Sequence, residues 1–277
     1  MNTRAVKAAK IAAGALLVVL LVAVFMWNRC GLDGCPDVDR LNGYVPDRAS
    51  VMRDHKGQEI GRLFLTQRDM VRLNELPKFV PPAFVAMEDK RFWKHGGVDW
   101  IRVFGAAYRN IKERGIEEGS STITMQVARN VFPERLPASQ RTMWRKFAEA
   151  RVARLIETNY TKEQILELYL NQIYFGQGAY GIEAAAEEYF GKPAAKLTLA
   201  EAAMLAALPR APSKLNPRSN PEVALKGRNV VLNLMKSQEL ITAAQADQAK
   251  SERLSLRRGL AKTNADAPYF LDAVRRQ

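Results

Sequence analysis

The longest apolar run in the chain lies close to its N-terminus. The segment Ile11–Trp27 has no charged residue, and its length is close to the roughly 17–25 residues that a membrane-spanning helix needs. Basic residues precede it and acidic residues follow it: Arg4, Lys7 and Lys10, then Asp33, Asp37 and Asp39. This asymmetry places the N-terminus in the cytoplasm. Since bulky rather than small residues follow the run, we predict a cytoplasmic tail (1–10) and an uncleaved, single-pass signal anchor (11–28), with the rest of the chain outside the cytoplasm.

After the anchor, the pattern changes from mixed to strongly helical. Residues 29–80 form a predicted stalk in which two short strands flank a turn at Lys56-Gly57. Capping boxes pair Thr161 with Gln164 and Thr198 with Glu201, and each of them opens a helix. A further strong helix lies over "QRTMWRKFAEARVARLIE", Pro209 ends the helix that begins after Thr198, and another begins near Pro221. We predict a mainly α domain over 81–245 and a linker-like segment over 246–277.

One helical segment is both basic and amphipathic. In "WIRVFGAAYRNIKERG", which begins at Trp100, apolar residues alternate with arginine and lysine. Such a segment can lie at a bilayer interface. The residues alone favour the alternative, a half-buried helix with a cationic surface. The spanning anchor adds support to the membrane interpretation because it holds the domain near lipid.

The charge balance narrows the class of partner. The 277 residues carry a formal net charge of +13 and are 47% hydrophobic and 26% charged. Such a chain is globular and basic, and it suits nucleic acid, an anionic membrane or a phosphorylated substrate. Because the anchor places the domain outside the cytoplasm, we predict no nucleic-acid partner. The two cysteines, Cys30 and Cys35, can close a small disulfide loop in an oxidising compartment, and two ligands do not make a zinc site.

Glu88 is the first candidate for catalysis. If "AMEDKRFWKHGG" is helical, Glu88 shares an apolar face with aromatic residues while the neighbouring lysines point away. The residues predicted on that face are Phe84, Val85, Glu88, Phe92 and His95, with Lys90 and Lys94 opposite. Desolvation favours the protonated form of a carboxyl group, which suits a residue that takes and returns protons. The alternative is a capped helix end in which Glu88 pairs with Arg91.

Two further segments carry candidate binding residues. In "EEGSSTITMQVARN", a hydroxyl-rich turn enters a helix whose start suits anionic oxygens, although the residues alone favour a simple Ser/Thr cap. In "RTMWRKFAEARVAR", Arg141, Arg145 and Glu149 follow at i, i+4 and i+8, and Lys146 lies near them. An exposed salt-bridge ladder is one interpretation. The excess of cations over carboxylates favours a diphosphate-binding surface.

Five segments in order resemble the motifs of the peptidoglycan glycosyltransferase family (glycosyltransferase family 51). This is the glycan-polymerising domain of class A penicillin-binding proteins and of monofunctional transglycosylases. The segments are "EDKRFWKHGGVD", "GSSTITMQVARN", "RKFAE", "KEQILELYLNQIYFGQGAYGIEAAAEEYFGK" and "LTLAEAAMLAALPRAPSKLNP", and together the likeness covers about residues 45–240. The resemblance implies a lysozyme-like helical glycosyltransferase domain with a smaller membrane-proximal lobe, preceded by one transmembrane helix.

The resemblance also implies a reaction and its partners. The substrates would be lipid II and the growing glycan chain, joined by an inverting β-1,4 transfer that releases undecaprenyl diphosphate. The protein would lie in the bacterial inner membrane with its catalytic domain in the periplasm, in contact with membrane lipids and other cell-wall synthesis proteins. No cofactor is required by the sequence, and a divalent cation (Mg or Mn) stays an open alternative. A lysozyme-type hydrolase and a non-catalytic membrane-anchored scaffold are the competing functions.

The motifs assign each candidate residue a role. Glu88 is the implied general base, and Glu149 orients the cations or helps to hold a divalent ion. Substrate binding is implied for Ser121, Thr122, Gln126, Arg129, Asn130, Arg141, Arg145 and Lys146. Asp89, Phe92 and His95 would shape the Glu88 helix.

The sequence departs from the motifs at two positions. Met125 replaces the first of two glutamines found in many members, and Arg129 replaces a lysine. The first change resembles a branch of class A proteins and the second keeps the cation. The C-terminal "APYFLDAVRRQ" resembles the segment before a transpeptidase domain, yet no serine lies in the S-x-x-K arrangement of a penicillin-reactive site.

Overall fold

The computed structural model describes residues 3–30, 34–41, 50–53, 59–63, 70–113, 121–137 and 142–257. These residues form two compact units: residues 1–42, 96–120 and 124–160 belong to the first, and the remainder to the second. Most elements in the described residues are helices, and the prediction of a mainly α fold is confirmed.

Within the described residues, the first unit contains four α-helices. They are α1 (Thr3–Asn28), α3 (Trp100–Glu113), α4 (Ile123–Val131) and α5 (Met143–Asn159), of which α4 has its first residue in the second unit. Within α1, the segment Lys10–Asn28 is long and apolar enough to cross a membrane, with a mean hydropathy of 2.4. A disulfide joins Cys30 to Cys35 just after α1, a pairing that the sequence allows but does not decide.

The end of α1 packs against α5 through aromatic side chains. Trp27 lies 5.2 Å from Phe147 and 6.5 Å from Trp100, measured between ring centroids, and the Arg151 guanidinium lies 5.7 Å from the Trp27 ring. Met26 is buried here, whereas the large apolar side chains from Ile11 to Phe25 are exposed. The last turn of the apolar helix is therefore part of the first unit's packing.

Gly97 permits a close approach of the chain to α5. Its φ is +89°, and a Cβ at this position would lie 2.7 Å from the carbonyl carbon of Ala153 and 2.8 Å from the Arg154 nitrogen. Gly96, by contrast, has open space where its Cβ would be. Only the second glycine of this pair is therefore demanded by both conformation and space.

In the part of the chain that the structure describes, the second unit contains a strand pair, six α-helices and a short hairpin. They are β1 (Ser50–Arg53), β2 (Glu59–Leu63), α2 (Val80–Glu88), α6 (Lys162–Gln172), β3 (Tyr174–Gly176), β4 (Ala179–Tyr180), α7 (Ile182–Phe190), α8 (Leu199–Ala207), α9 (Pro221–Ser237) and α10 (Ala243–Ser251). β1 and β2 are antiparallel, which confirms the predicted strands, while the turn at Lys56-Gly57 lies outside the described residues. The predicted capping boxes at Thr161 and Thr198 are both formed.

α8 lies at the centre of the second unit. Its residues from Ala200 to Ala207 are buried, and most of them are alanines, so α2 and α9 can approach it closely. On α9, a Cβ at Gly227 would lie 3.3 Å from the Cβ of Ala207, which shows how close the two helices are. Small side chains on α8 thus allow α2 and α9 to pack closely against it, and this packing fixes the position of the end of α2.

Aromatic residues fill the rest of this core. Phe84 on α2 packs edge-on against Tyr169 and Phe175. Tyr189 is fully buried and donates its hydroxyl proton to the Phe175 carbonyl at 2.9 Å. Burial raises the pKa of Tyr189 to about 12, although Arg218 acts in the opposite direction.

α10 crosses the predicted domain boundary at residue 245. Ala246 and Ala249 are buried, and Arg228 on α9 donates to the carbonyls of Lys250 and Glu252. Burial lowers the pKa of the Arg228 guanidinium. These contacts keep the chain packed on the helical unit beyond residue 245, so the predicted linker-like segment begins within packed structure; residues 258–277 lie outside the described part.

Candidate functional sites

Glu88 is the last residue of α2 and is 8% exposed. The sequence predicts one helix through His95, and that prediction is wrong: the helix stops at Asp89, whose φ of −152° and ψ of 72° are not helical. Phe92 then lies in a 3-10 helix and His95 in an extended residue after it. Glu88 therefore shares no helical face with Phe92 or His95, although its burial is as predicted.

The helix stops here because the Asp89 carboxylate has other partners. Its Oδ2 accepts the backbone N–H of Ile123 at 3.1 Å and lies 3.0 Å from His95 Nε2. Asp89 is 1% exposed, so it links the end of α2 to the start of α4 from a buried position. Phe92 is fully buried, with the Lys162 ammonium 4.3 Å from its ring centroid. All three residues predicted to shape the surroundings of Glu88 thus have structural contacts.

Two side chains from distant parts of the second unit meet the end of α2. Arg210 donates to the Met87 carbonyl at 3.0 Å, and its Nε lies 3.4 Å from Glu88 Oε1. Gln238 donates to the Ala86 carbonyl at 3.3 Å. Sequence analysis missed Arg210, since it follows Glu88 by more than a hundred residues and no local pattern joins the two.

The hydroxyl-rich turn before α4 is partly described. Ser121 is half-buried, and Thr122 has no exposed surface. Ser121 can therefore be reached by a ligand, whereas Thr122 lies inside the unit and supports the start of α4. The residues before Ser121 in this turn, 114–120, lie outside the described residues.

In the first unit, Glu149 is surrounded by three cations. Arg145 and Lys146 of α5 pair with its carboxylate, the latter at 3.0 Å, and Arg129 of α4 lies 3.5 Å from Oε1. Glu149 has no exposed surface, whereas the Lys146 side chain is 35% exposed. The alternative of an exposed salt-bridge ladder is wrong, since the carboxylate lies inside the unit. Three cations around one carboxylate leave positive charge at the surface of this cluster.

Of the remaining predicted binding residues, two lie in the described part of the chain and one lies outside it. Gln126 is 7% exposed and Asn130 half-buried, both on α4. Arg141 lies outside the described residues. The unusual Met125 is buried with Val98 and Ala153 in the small core of the first unit, where a methionine side chain fills apolar space.

The donor set at Glu149 suits an anion better than a metal ion. Among the described residues, no group of three or more His, Cys, Asp or Glu side chains could hold a metal ion. At Glu149 itself, Arg129, Arg145 and Lys146 would repel an added cation.

The first unit also exposes an apolar surface. Its large exposed side chains are Trp100, Ile101 and Phe104 on α3 and Met143 and Trp144 on α5. Large exposed apolar groups of this kind mark interaction surfaces. They lie in the same unit as the C-terminal end of the apolar helix α1, whose Trp27 contacts Trp100.

Comparisons with known proteins agree with the motifs. The sequence profile of a family described as "Transglycosylase" matches residues 56–236. The chain is 42% identical over 260 residues to penicillin-binding protein 1A of Aquifex aeolicus, a match over 94% of this chain and 35% of that protein. It is also 42% identical over 242 residues to penicillin-binding protein 1A of Neisseria gonorrhoeae, over 87% of this chain and 30% of the relative.

The fold has a solved counterpart. The crystal structure of penicillin-binding protein 1A from Haemophilus influenzae superposes with a TM-score of 0.50 and 24% identity, over 84% of this chain and 24% of the other. The chain spans about a third of the length of the two curated relatives. The match over 56–236 confirms the resemblance that the motifs predict, and the chain therefore belongs to the transglycosylase family, the family of peptidoglycan glycosyltransferases.

Proposed function

We propose that this protein polymerises lipid II into β-1,4-linked glycan and releases undecaprenyl diphosphate. The observation that carries the proposal is the cluster of Arg129, Arg145 and Lys146 around the buried Glu149. A leaving diphosphate develops negative charge, and preorganised cations stabilise that charge in the transition state. Hydrolysis of a finished glycan, whose leaving group is a neutral sugar, needs no such cluster.

Glu88 acts as the general base of the transfer. The 4-hydroxyl of the acceptor sugar loses its proton to the Glu88 carboxylate as its oxygen bonds to the anomeric carbon of the donor. The bond from that carbon to the diphosphate breaks, and the diphosphate leaves with the electron pair. A base on the face opposite the leaving group gives inversion, as in inverting glycosidases. The burial of Glu88 supports this role because a base held inside the unit takes the proton from a fixed position.

The cationic cluster binds the diphosphate of the donor. Arg145 and Lys146 are held by Glu149, so the carboxylate orients them rather than joining in bond making. Arg141, Asn130, Gln126 and the turn with Ser121 and Thr122 are assigned to the same substrate by family analogy alone. No step is assigned to a divalent cation, because the side chains around Glu149 already supply positive charge.

Membrane lipids are the second partner. The exposed apolar side chains of α3 and α5 suit insertion among lipid headgroups, which gives the enzyme access to a substrate that carries its lipid in the bilayer. We assign the protein to the bacterial inner membrane, with the N-terminus in the cytoplasm and the chain after α1 in the periplasm, because Arg4, Lys7 and Lys10 precede the apolar segment. Contacts with other cell-wall synthesis proteins are part of the same proposal.

The test is polymerisation of labelled lipid II in liposomes by the parent and by Glu88→Gln. We expect long glycan from the parent and a loss of at least about 100-fold from the variant, the usual effect of removing a general base. Lys214→Gln, an exposed change in the same unit, is the matched control and should keep parental activity. If the parent cuts finished glycan and makes none, the hydrolase alternative replaces the proposal. If a folded parent neither makes nor cuts glycan, the scaffold alternative does.

A further inference from the structure

We propose that Arg210 is a positioning residue for Glu88, whose carboxylate it orients for proton removal. The inference rests on the proposed function, in which Glu88 is the base. It assigns a role to a residue that comes more than a hundred positions later in the chain and is brought to Glu88 by the fold of the second unit.

The end of a helix is an unfavourable place for a carboxylate. The last carbonyls of α2 lack partners within the helix, and their partial negative charge opposes an ionised Glu88. A cation at this point offsets both effects. Arg210 is placed to do so, since it donates to the Met87 carbonyl at 3.0 Å while its Nε lies 3.4 Å from Glu88 Oε1.

Arginine suits these two tasks better than lysine. Its planar guanidinium presents donors in a fixed fork, so one nitrogen can bind the carbonyl while another faces the carboxylate. The hydrogen bond to Met87 fixes the guanidinium plane, and the fixed plane gives Glu88 a defined orientation. A lysine has one point of charge and can serve only one of these groups well.

The backbone of Arg210 is held by the central helix of the unit. Arg210 ends the 3-10 helix Leu208–Arg210 that directly follows α8, and Leu208 is fully buried. Ala211 closes this turn by donating its N–H to the Leu208 carbonyl. The side chain itself is 48% exposed, so water screens its charge in part and the expected effect is moderate.

The first experiment measures kcat and KM for lipid II polymerisation by Arg210→Gln, Arg210→Lys and Lys214→Gln. Lys214→Gln removes the same unit of charge from the same loop and should behave as the parent. We expect Arg210→Gln to lower kcat by about tenfold with KM changed by less than about twofold. Arg210→Lys keeps the charge but not the fork, so it should recover only part of the loss. Parental kcat in Arg210→Gln would overturn the inference, and so would an Arg210→Lys protein as slow as Arg210→Gln.

A second experiment separates positioning from simple helix capping. Gln238→Met removes a donor from the neighbouring Ala86 carbonyl without changing the charge near Glu88. We expect it to lower thermal stability yet keep kcat within about twofold. In the Glu88→Gln background, adding Arg210→Gln should change the residual rate by less than about twofold, since Arg210 acts through Glu88. A tenfold loss from Gln238→Met, or a further tenfold loss in the double variant, would contradict the inference.

The two proposals fail in different ways. If the parent makes no glycan, the proposed function fails and Arg210 has no reaction to assist. If the parent is active, Glu88→Gln is inactive and Arg210→Gln keeps parental kcat, only the role of Arg210 is lost.

Discussion

Replacing Gly97 with alanine tests the close contact inside the first unit. The new Cβ would lie 2.7 Å from the carbonyl carbon of Ala153, a backbone atom of α5 that has no rotamer by which to move away. The residue would also have to keep a φ of +89°, which L-residues with a side chain rarely adopt. The steric overlap can therefore be relieved only if the segment around Gly97 or α5 itself shifts.

The cost follows from these two terms. A left-handed conformation costs a non-glycine residue about 1–2 kcal/mol, and overpacking of a well-packed contact costs about 1–3 kcal/mol. The stiffer unfolded chain returns about 0.4–1 kcal/mol. Together these contributions predict that Gly97→Ala lowers the free energy of unfolding by about 1–5 kcal/mol. Gly96→Ala, which meets open space, should change it by less than about 1 kcal/mol.

Tryptophan fluorescence during urea unfolding in detergent measures this difference. Three of the four tryptophans, Trp27, Trp100 and Trp144, belong to the first unit, so the signal reports mainly on the part that Gly97 affects. Because α5 also carries Glu149, Gly97→Ala should reduce lipid II polymerisation while Gly96→Ala does not. Equal urea midpoints for the two variants would refute the reasoning, since they would mean that no close contact constrains Gly97.

Three further predictions concern buried polar groups and the disulfide. Tyr189→Phe should lower the free energy of unfolding by about 1–3 kcal/mol at neutral pH, because the buried Phe175 carbonyl loses its donor. Folding raises the pKa of Tyr189 from 10.0 to about 12, so the folded state holds this proton more tightly than the unfolded state. The free energy of unfolding of the parent should therefore fall by roughly 2–3 kcal/mol as the pH rises from about 10 to 12. Urea midpoints measured across this pH range test this, and an equal fall in the phenylalanine variant would contradict it. Glu149→Gln should destabilise the first unit by about 1–3 kcal/mol, because three cations lose the carboxylate that they pair with. Unfolding followed by fluorescence measures this loss. A midpoint equal to that of the parent would mean that the stability of the unit does not depend on these ion pairs. Replacing both Cys30 and Cys35 by serine should lower the free energy of unfolding by up to about 2 kcal/mol, the value expected from loop closure over so short a separation. Calorimetry of the parent and the variant measures this difference. A larger loss would contradict the prediction and mean that the bond does more than close the loop.

Local sequence signals predicted the helices and strands well where short-range interactions decide them. The boxes at Thr161 and Thr198 form because a side chain and a backbone N–H three residues apart satisfy each other without outside help. β1 and β2 also lie where the sequence predicts two short strands on either side of Lys56-Gly57.

Long-range contacts decided what the sequence could not show. Helical periodicity continues past Glu88, yet Asp89 leaves the helix to bind Ile123 and His95, and those partners are known only once the chain has folded. Arg210 follows a helix end in the sequence, which gives no sign of which other helix it will meet. The candidate residues were found because motifs identify them, whereas their burial and pairing needed the structure.

Through Trp27, the apolar helix α1 contributes to the packing of the first unit. A shorter protein that begins after Asn28 would lose Trp27 and leave Trp100, Phe147 and Arg151 without the ring that they contact. Replacing α1 by an unrelated spanning helix would restore attachment to the membrane but not this contact. Chimeras and truncated forms should therefore differ from the parent in the solubility and stability of the first unit, and a borrowed anchor would have to supply an aromatic residue at the same turn to match it.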